Sequence, residues 1–365
     1  MSRLRSVSVT VLSAVLLAGC ATGQEGSAPG SPPSADSNQS SQGQAPGDGN
    51  RRLVYIQTWD DSATYARISA LPLANNVDLA ISFAEPTADG DLTPPNIPDG
   101  LRSVVSRLDP NAGIVLAVGG WGDTGEDHQN ILQGFAAAAK DPDGFAGKVA
   151  QAADQTGAAL GRQITGIDID WEYPTESQAQ GFAAVAKAIK KAMPGAHVTA
   201  AVPSNHDLQG IEDALPDVRN TIDGFHVMTY DEHTPFDGAG SSAGPVATKQ
   251  GMLSAFQQWQ ARLTAAGIDS GKAAMGIPTY CYEYTGVRAA GQPSQGGTEV
   301  PYTQVEGQRL QSQPDGSSDA IVNGAWTTCL TPSDAQSVLA AAPAGTNVFY
   351  WSAEGLTSAY LTISR

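Results

Sequence analysis

The sequence predicts an α/β fold, a closed (β/α)8 TIM barrel in a single domain. Two repeating signals and one missing motif predict it. Short apolar runs recur from residue 53 onward, about eight of them, which is the number a closed barrel needs. Between most of them lie Ala-rich amphipathic segments, and strands alternating with helices imply βαβ units and a parallel sheet. A doubly wound open sheet is the rival. No Gly-rich phosphate loop follows an early strand, and "VGGWGDTG" lacks the glycine spacing of one. The 365 residues exceed a typical single domain, but α/β barrels routinely run this long as one.

The runs, in order, are RLVYIQTW (52–59), NVDLAISFAEP (76–86), GIVLAVGGW (113–121), ITGIDIDWEYP (164–174), HVTAAVPS (197–204), IDGFHVMTYD (222–231), KAAMGIPTY (272–280) and NVFYWSAE (347–354). Helices are predicted over PDGFAGKVAQAADQTGAALG (142–161) and QAQGFAAVAKAIKKAM (178–193). The interval between Tyr280 and Asn347 is long, and only TPSDAQSVLAAAP (331–343) looks helical in it. The polar, Gly-rich stretch 283–318 is expected to be a functional or mobile loop rather than a second folded unit.

The formal net charge is −17, from 37 acidic and 20 basic side chains. Such a surface repels nucleic acid and anionic headgroups and favours a neutral or cationic ligand. At the start, Arg3 and Arg5 precede the apolar run VSVTVLSAVLLAG, too short to span a bilayer as a mature helix. Residues 1–19 are therefore expected to be a signal peptide. The run ends in LAGC, which resembles the lipobox of bacterial lipoproteins; the resemblance implies lipidation of Cys20. The alternative is ordinary cleavage with a free Cys20. Residues 20–50 continue as Gly, Ser, Pro, Gln and Asn, a composition that cannot bury enough surface to fold. As a tether it reaches roughly 30 Å. The folded domain is expected over 51–365. Cys281 and Cys329 remain, and outside the cytoplasm such a pair often forms a disulfide. The alternative is two unpaired buried thiols.

The fourth run carries the chemistry. Asp168, Asp170 and Glu172 alternate with Ile167, Ile169 and Trp171. On a strand, alternate side chains share a face. In a barrel the apolar set then faces the helices, and the acids point inward and climb toward the carboxyl end, where barrel sites lie. Mutual repulsion and desolvation should hold at least one proton among them near neutral pH. Glu172, nearest the mouth, is placed as a general acid. A solvated strand edge is the bland alternative, but the interleaved apolar residues need a buried face. A metal site is another; its ligands usually come from several strand ends, and the 5 histidines form no ligand-spaced cluster. His226 is read as a satisfied core histidine.

The segment GIDIDWEYP closely resembles the D-x-D-x-E motif of family 18 glycoside hydrolases, the chitinase family. The likeness extends to GGW after the third run, MTYD (228–231), GIPTY (276–280) and Trp351, all in the family's order, so that it covers 53–355. It implies a retaining glycosidase acting on β-1,4-linked N-acetylglucosamine polymers by substrate-assisted catalysis, without cofactor or metal. Glu172 would protonate the glycosidic oxygen. Asp170 would support the 2-acetamido group, and Asp168 would share a proton with Asp170. Tyr230 would donate to the acetamido carbonyl, with Asp231 and Met228 lining the same subsite. Trp351 would floor it, and Trp121 would stack on the neighbouring sugar; Tyr280 and Trp59 are further contact candidates, each aromatic otherwise being plain core.

Two departures stand out: Ala117 replaces a family Ser that bonds the innermost Asp, and Thr165-Gly166 replaces Asp-Gly. The stretch after the seventh run looks too short for the α+β domain that walls some members' clefts, so an open groove suited to endo cleavage is expected. Chitin leads as the substrate, with peptidoglycan strands and the chitobiose core of N-glycans behind it. A non-catalytic chitin-binding member is the alternative class. A monomer is expected, extracytoplasmic, lipid-anchored or secreted, touching membrane only through its anchor and binding no nucleic acid.

Overall fold

The computed structural model describes residues 51–364, Asp123 excepted. The expected signal peptide, the lipidated Cys20 and the linker lie outside the described residues. The chain begins with β1 (Arg52–Gln57), α1 (Ser62–Ser69) and β2 (Val77–Pro86), on whose end the two-residue β3 (Leu92–Thr93) folds back antiparallel. It continues through α2 (Asp99–Val105), β4 (Ile114–Gly119), α3 (Gly125–Ala138), α4 (Pro142–Leu160), β5 (Gly166–Asp170), α5 (Ala179–Ala192), β6 (His197–Pro203), α6 (Gln209–Val218), β7 (Gly224–Met228), α7 (Lys249–Ala265) and β8 (Ala273–Pro278).

An insertion follows, formed by β9 (Tyr280–Tyr284), β10 (Gly297–Pro301), β11 (Gln311–Ser312), β12 (Ser318–Val322) and β13 (Ala325–Cys329). The chain returns by α8 (Pro332–Ala341) to β14 (Asn347–Trp351) and ends in α9 (Ser358–Leu361). Strand β1 pairs in parallel with both β2 and β14, which closes the order β1-β14-β8-β7-β6-β5-β4-β2 into an eight-stranded parallel barrel. The strands are apolar on both faces because side chains meet either the filled interior or the helices; β4 and β8 are buried at every position.

Local signals delimit the helices. Asp141 caps α4 and accepts from the Gly144 N–H, Pro142 opens it, and Gly161 closes it in the left-handed region at φ 68°. Thr331 and Asp334 form a reciprocal capping box at the start of α8.

The stretch 283–318 is not a free loop, contrary to the sequence-based expectation. It belongs to an antiparallel sheet ordered β10-β9-β13-β12-β11. Its backbone groups find their partners across the insertion: Tyr282 faces Thr328 on β13 and Glu299 on β10. Short, half-exposed strands rich in Gly and polar residues carry little periodic signal, so composition alone misread them. Cys281 and Cys329 are joined by a disulfide and face each other on the paired strands β9 and β13.

Candidate active site

Strand β5 lies between β4 and β6, with Asp168 beside Ala117 on one side and Thr199 on the other. The outward residues do what the alternation predicts. Ile167, Ile169 and Trp171 are fully buried, and Trp171 stacks flat on Phe135 of α3 at 4.7 Å. Asp170 pairs in register with Gly119. Gly119 has φ 118°, and a Cβ there would stand 2.1 Å from the Asp170 carbonyl oxygen, so the first glycine of GGW is a condition of this close approach.

The three acids have different surroundings. Asp168 is fully buried and densely bonded. The Tyr55 hydroxyl donates to its Oδ2 at 2.7 Å, the Thr199 hydroxyl donates to Oδ1, and His226 Nδ1 lies 3.0 Å from Oδ1. Burial pushes the Asp168 carboxyl up, but the His226 imidazole and these hydrogen bonds outweigh it and hold it below the usual range. Asp170 is 3% exposed, and its Oδ1 has no hydrogen-bond partner. Burial first, then the charges of Glu172 and Asp168, push it well up. Glu172 is pushed up to about 7, chiefly by burial, while hydrogen bonds with Tyr173 and Asp170 pull the other way.

Burial thus raises Asp170 and Glu172 together, while Asp168, whose oxygens meet three other side chains, is held low.

Around the acids the predicted residues fall into place unevenly. Tyr230 is buried above β7, edge-on to Tyr280 at 6.1 Å. A Cβ on Gly276 would stand 2.7 Å from the Tyr230 ring, so the Gly of GIPTY leaves room for it. Asp231 has φ 59°, and its Oδ1 accepts from the Tyr282 hydroxyl at 2.6 Å and from the Tyr280 hydroxyl. Desolvation raises the Asp231 carboxyl, and these two hydrogen bonds oppose it. Met228 is half-buried against the core. Trp351 is half-buried, 5.6 Å from Tyr55, and stacks on Phe83 at 5.8 Å; Phe83 in turn stacks on Trp59 at 6.1 Å.

Trp59 and Trp121 are 56% and 55% exposed, which excludes the plain-core reading for both. Trp121 covers His128 at 3.9 Å and lines a groove of about 570 Å³ with Glu172, Tyr173, Asn205 and His206. Tyr280, by contrast, is buried and reaches the site through Asp231.

Sequence reasoning missed Tyr55, Thr199, Tyr173, Tyr282 and Phe83; His226 is the satisfied core histidine expected, its Nδ1 facing Tyr55 and Asp168. Tyr173 follows Glu172 directly and so had a local clue, whereas Thr199 meets Asp168 only across the β5–β6 pairing. Tyr282 lay in the misread insertion. Of the two departures, Thr165 bonds the Ile114 backbone at 3.0 and 3.2 Å at the amino-terminal end of β5. Ala117 leaves the Asp168 side of β4 without a hydroxyl. Among the described residues, no group of three His, Cys, Asp or Glu is arranged to hold a metal ion.

A closed parallel barrel with an inward carboxylate series on one strand, opening between aromatic side chains, defines a (β/α)8 protein of the glycosidase type. The chain belongs to the glycosyl hydrolases family 18, whose family model matches residues 51–350. Chitinase B of Serratia marcescens is 27% identical over 258 residues, covering 56% of this chain and 50% of that one. The chain thus spans half the length of that relative. The fold is shared with a chitinase-like agglutinin from Robinia pseudoacacia (18% identity, TM-score 0.65, 85% of this chain and 96% of that one). It is shared equally with a family 18 chitinase from Cycas revoluta in complex with (GlcNAc)4 (18% identity, TM-score 0.65, 84% and 95%).

Proposed function

We propose that this chain hydrolyses β-1,4-linked N-acetylglucosamine polymers, chitin or chitooligosaccharides, with retention of configuration. Glu172 acts as general acid and base. The observation that carries this is the Asp170–Glu172 pair: two acids one strand step apart, hydrogen-bonded to each other and both raised by burial, with Asp170 Oδ1 buried and unpartnered among the described residues. A buried polar atom without a partner is costly, and a substrate N–H is a suitable one.

In this reading Glu172 donates its proton to the glycosidic oxygen as the bond to the anomeric carbon breaks. The substrate's own N-acetyl oxygen attacks that carbon and closes an oxazolinium ring, so no carboxylate nucleophile is required. Asp170 accepts from the acetamido N–H through Oδ1 and turns its own proton to Glu172 as Glu172 gives up its proton, so that the single negative charge then left on the pair offsets the positive charge that develops. Tyr230 donates to the acetamido carbonyl, Asp231 and Met228 border the same subsite, and Trp351 floors it. Glu172, now a carboxylate, takes a proton from the water that opens the ring, which returns the β anomer.

The agglutinin of the same fold keeps a non-catalytic binder in view. Against it stands Glu172, with its proton held to about pH 7 in contact with Asp170. The groove beside Trp121 suits the sugars on the leaving side. An open, endo-acting groove stays part of the proposal, beside a folded insertion that supplies Tyr280 and Tyr282 to Asp231.

The leader and Cys20 extend the proposal to a lipid anchor outside the cytoplasm. The Cys281–Cys329 disulfide supports an oxidising compartment. Cys20→Ser should abolish detergent-phase partitioning of the full chain, and unchanged partitioning removes the anchor.

The deciding experiment offers chitin oligomers, peptidoglycan and a chitobiose-core glycan side by side and reads the first anomer by NMR. Release of the β anomer from chitin oligomers, and no reaction with a substrate lacking the 2-acetamido group, is the expected result. An α anomer overturns the mechanism. Turnover should fall as pH rises through about 7, where Glu172 loses the proton it must donate.

A further inference from the structure

Asp168 has no contact with solvent and sits beside Ala117, where the family pattern supplies a hydroxyl. A buried carboxylate short of a donor takes up a proton unless another group replaces the missing contact. The replacement comes from two strands away. His226, on β7, is 4% exposed, and its Nδ1 lies 3.0 Å from Asp168 Oδ1 and 2.7 Å from the Tyr55 hydroxyl. Its strand neighbours in register are Ala201 on β6 and Ala274 on β8. Two small residues flanking the imidazole leave the interior open for it to reach across. The ring is held edge-on to Tyr55 at 6.0 Å and tilted on Phe349 at 5.3 Å. The groups that face it are thus Tyr55 from β1, Asp168 from β5 and Phe349 from β14, and Asp168 is the carboxylate it meets.

We infer that His226 is a positioning residue for the reaction proposed above: its Nδ1 takes over the contact to Asp168 that Ala117 cannot make, and so keeps the proton off Asp168 and on the Asp170–Glu172 pair. The inference rests on that reading of the site. His226 touches no reacting atom in it. Its effect passes through Asp168, whose negative charge lies under Asp170 and helps Asp170 retain a proton.

The test combines His226→Leu and His226→Asn with Ala117→Ser, singly and together, on chitin oligomers. His226→Leu should lower kcat on the order of tenfold with KM changed less than about twofold, and shift the acidic limb of the pH profile upward. Ala117→Ser should recover a large part of that loss in the His226→Leu background, and recover more there than it adds to the parent. His226→Asn, which keeps an N–H donor, should fall between parent and His226→Leu, and it serves if the Leu variant does not fold. A second readout is independent of turnover. In a Glu172→Gln background, the carboxyl ¹³C resonance of Asp168 should stay ionised from about pH 4 to about pH 8 with His226 present, and titrate within that window without it. Parental kcat and pH profile in both His226 variants, equal effects of Ala117→Ser in the two backgrounds, or an Asp168 resonance indifferent to His226 would each overturn the inference. If the parent cleaves none of the substrates, the functional reading falls, and the resonance still decides the role of His226.

Discussion

Strands β5 and β9 are built on one pattern and read very differently. Each carries like side chains at alternate positions: Asp168 and Asp170 on β5, with Glu172 just past its end, and Tyr280, Tyr282 and Tyr284 on β9. Each serves the same cleft. β5 supplies the acids, and β9 supplies two hydroxyls that hold Asp231. They differ in what covers their other face. Behind β5 lie Ile167, Ile169 and Trp171 in the helical layer; behind β9 lies the Cys281–Cys329 disulfide within a small sheet. Charges repeated against an apolar face have few explanations other than a site, whereas tyrosines at the same spacing suit core, strand or loop equally. A repeat is informative in proportion to what it costs to bury.

If β5 holds the chemistry and β9 the support, perturbing them should separate in size and kind. Glu172→Gln keeps the shape and removes the acid. It should lower kcat by ~10³-fold while oligomer binding by calorimetry stays within about twofold, since the loss falls on the transition state. A near-parental rate would break the comparison at its strongest point.

Removing the disulfide with Cys281→Ala and Cys329→Ala should cost about 4 kcal/mol of stability in denaturant titration, through the loop of sequence separation 48 that it closes. Turnover at low temperature should change little by comparison. A loss of kcat as large as that of Glu172→Gln would make the insertion part of the chemistry.

Asp170→Asn should slow the reaction by ~10²-fold. It should also make the protein more stable at pH 8. The native state holds a proton on Asp170 that the unfolded chain releases, so stability declines as pH rises past the ordinary carboxylate range, and Asn removes that decline. A gain at pH 8 that is absent at pH 4 is the expected pattern. Equal effects at both values would place the proton elsewhere.

The smallest effect is expected on β9. Tyr282→Phe takes one of two donors from Asp231. Those bonds favour the charged form, so Asp231 should protonate at higher pH and the loss of turnover, roughly threefold, should deepen toward acid. A flat pH response would leave Tyr282 as packing alone.

Much of the site was legible in the primary structure, residue by residue. Period-two alternation was enough to set Trp171 against the helices and the acids inward. The glycines of GGW and GIPTY were read only as motif, and the structure adds what they do: Gly119 comes close to the Asp170 backbone and Gly276 to the Tyr230 ring. Tyr55, His226 and Thr199 were out of reach, because each comes from a different strand and their relation to Asp168 exists only once the barrel closes. The insertion escaped for a related reason. Tyr280–Tyr284 pairs with Ala325–Cys329, and hydrogen bonds over that separation leave no periodic trace between the partners.

By itself the sequence determined the barrel, the inward face of the acids and the order of the motifs, since these follow from side-chain alternation and the burial of apolar runs, both local properties of the chain. The tertiary structure alone decided how the surroundings of the three acids differ. Asp168, Asp170 and Glu172 differ by one methylene at most, and their order along the chain does not distinguish their proton affinities. Their proton affinities separate because Tyr55, Thr199 and His226 converge on Asp168 from three other strands, while Asp170 is left with Glu172 and an unpartnered oxygen.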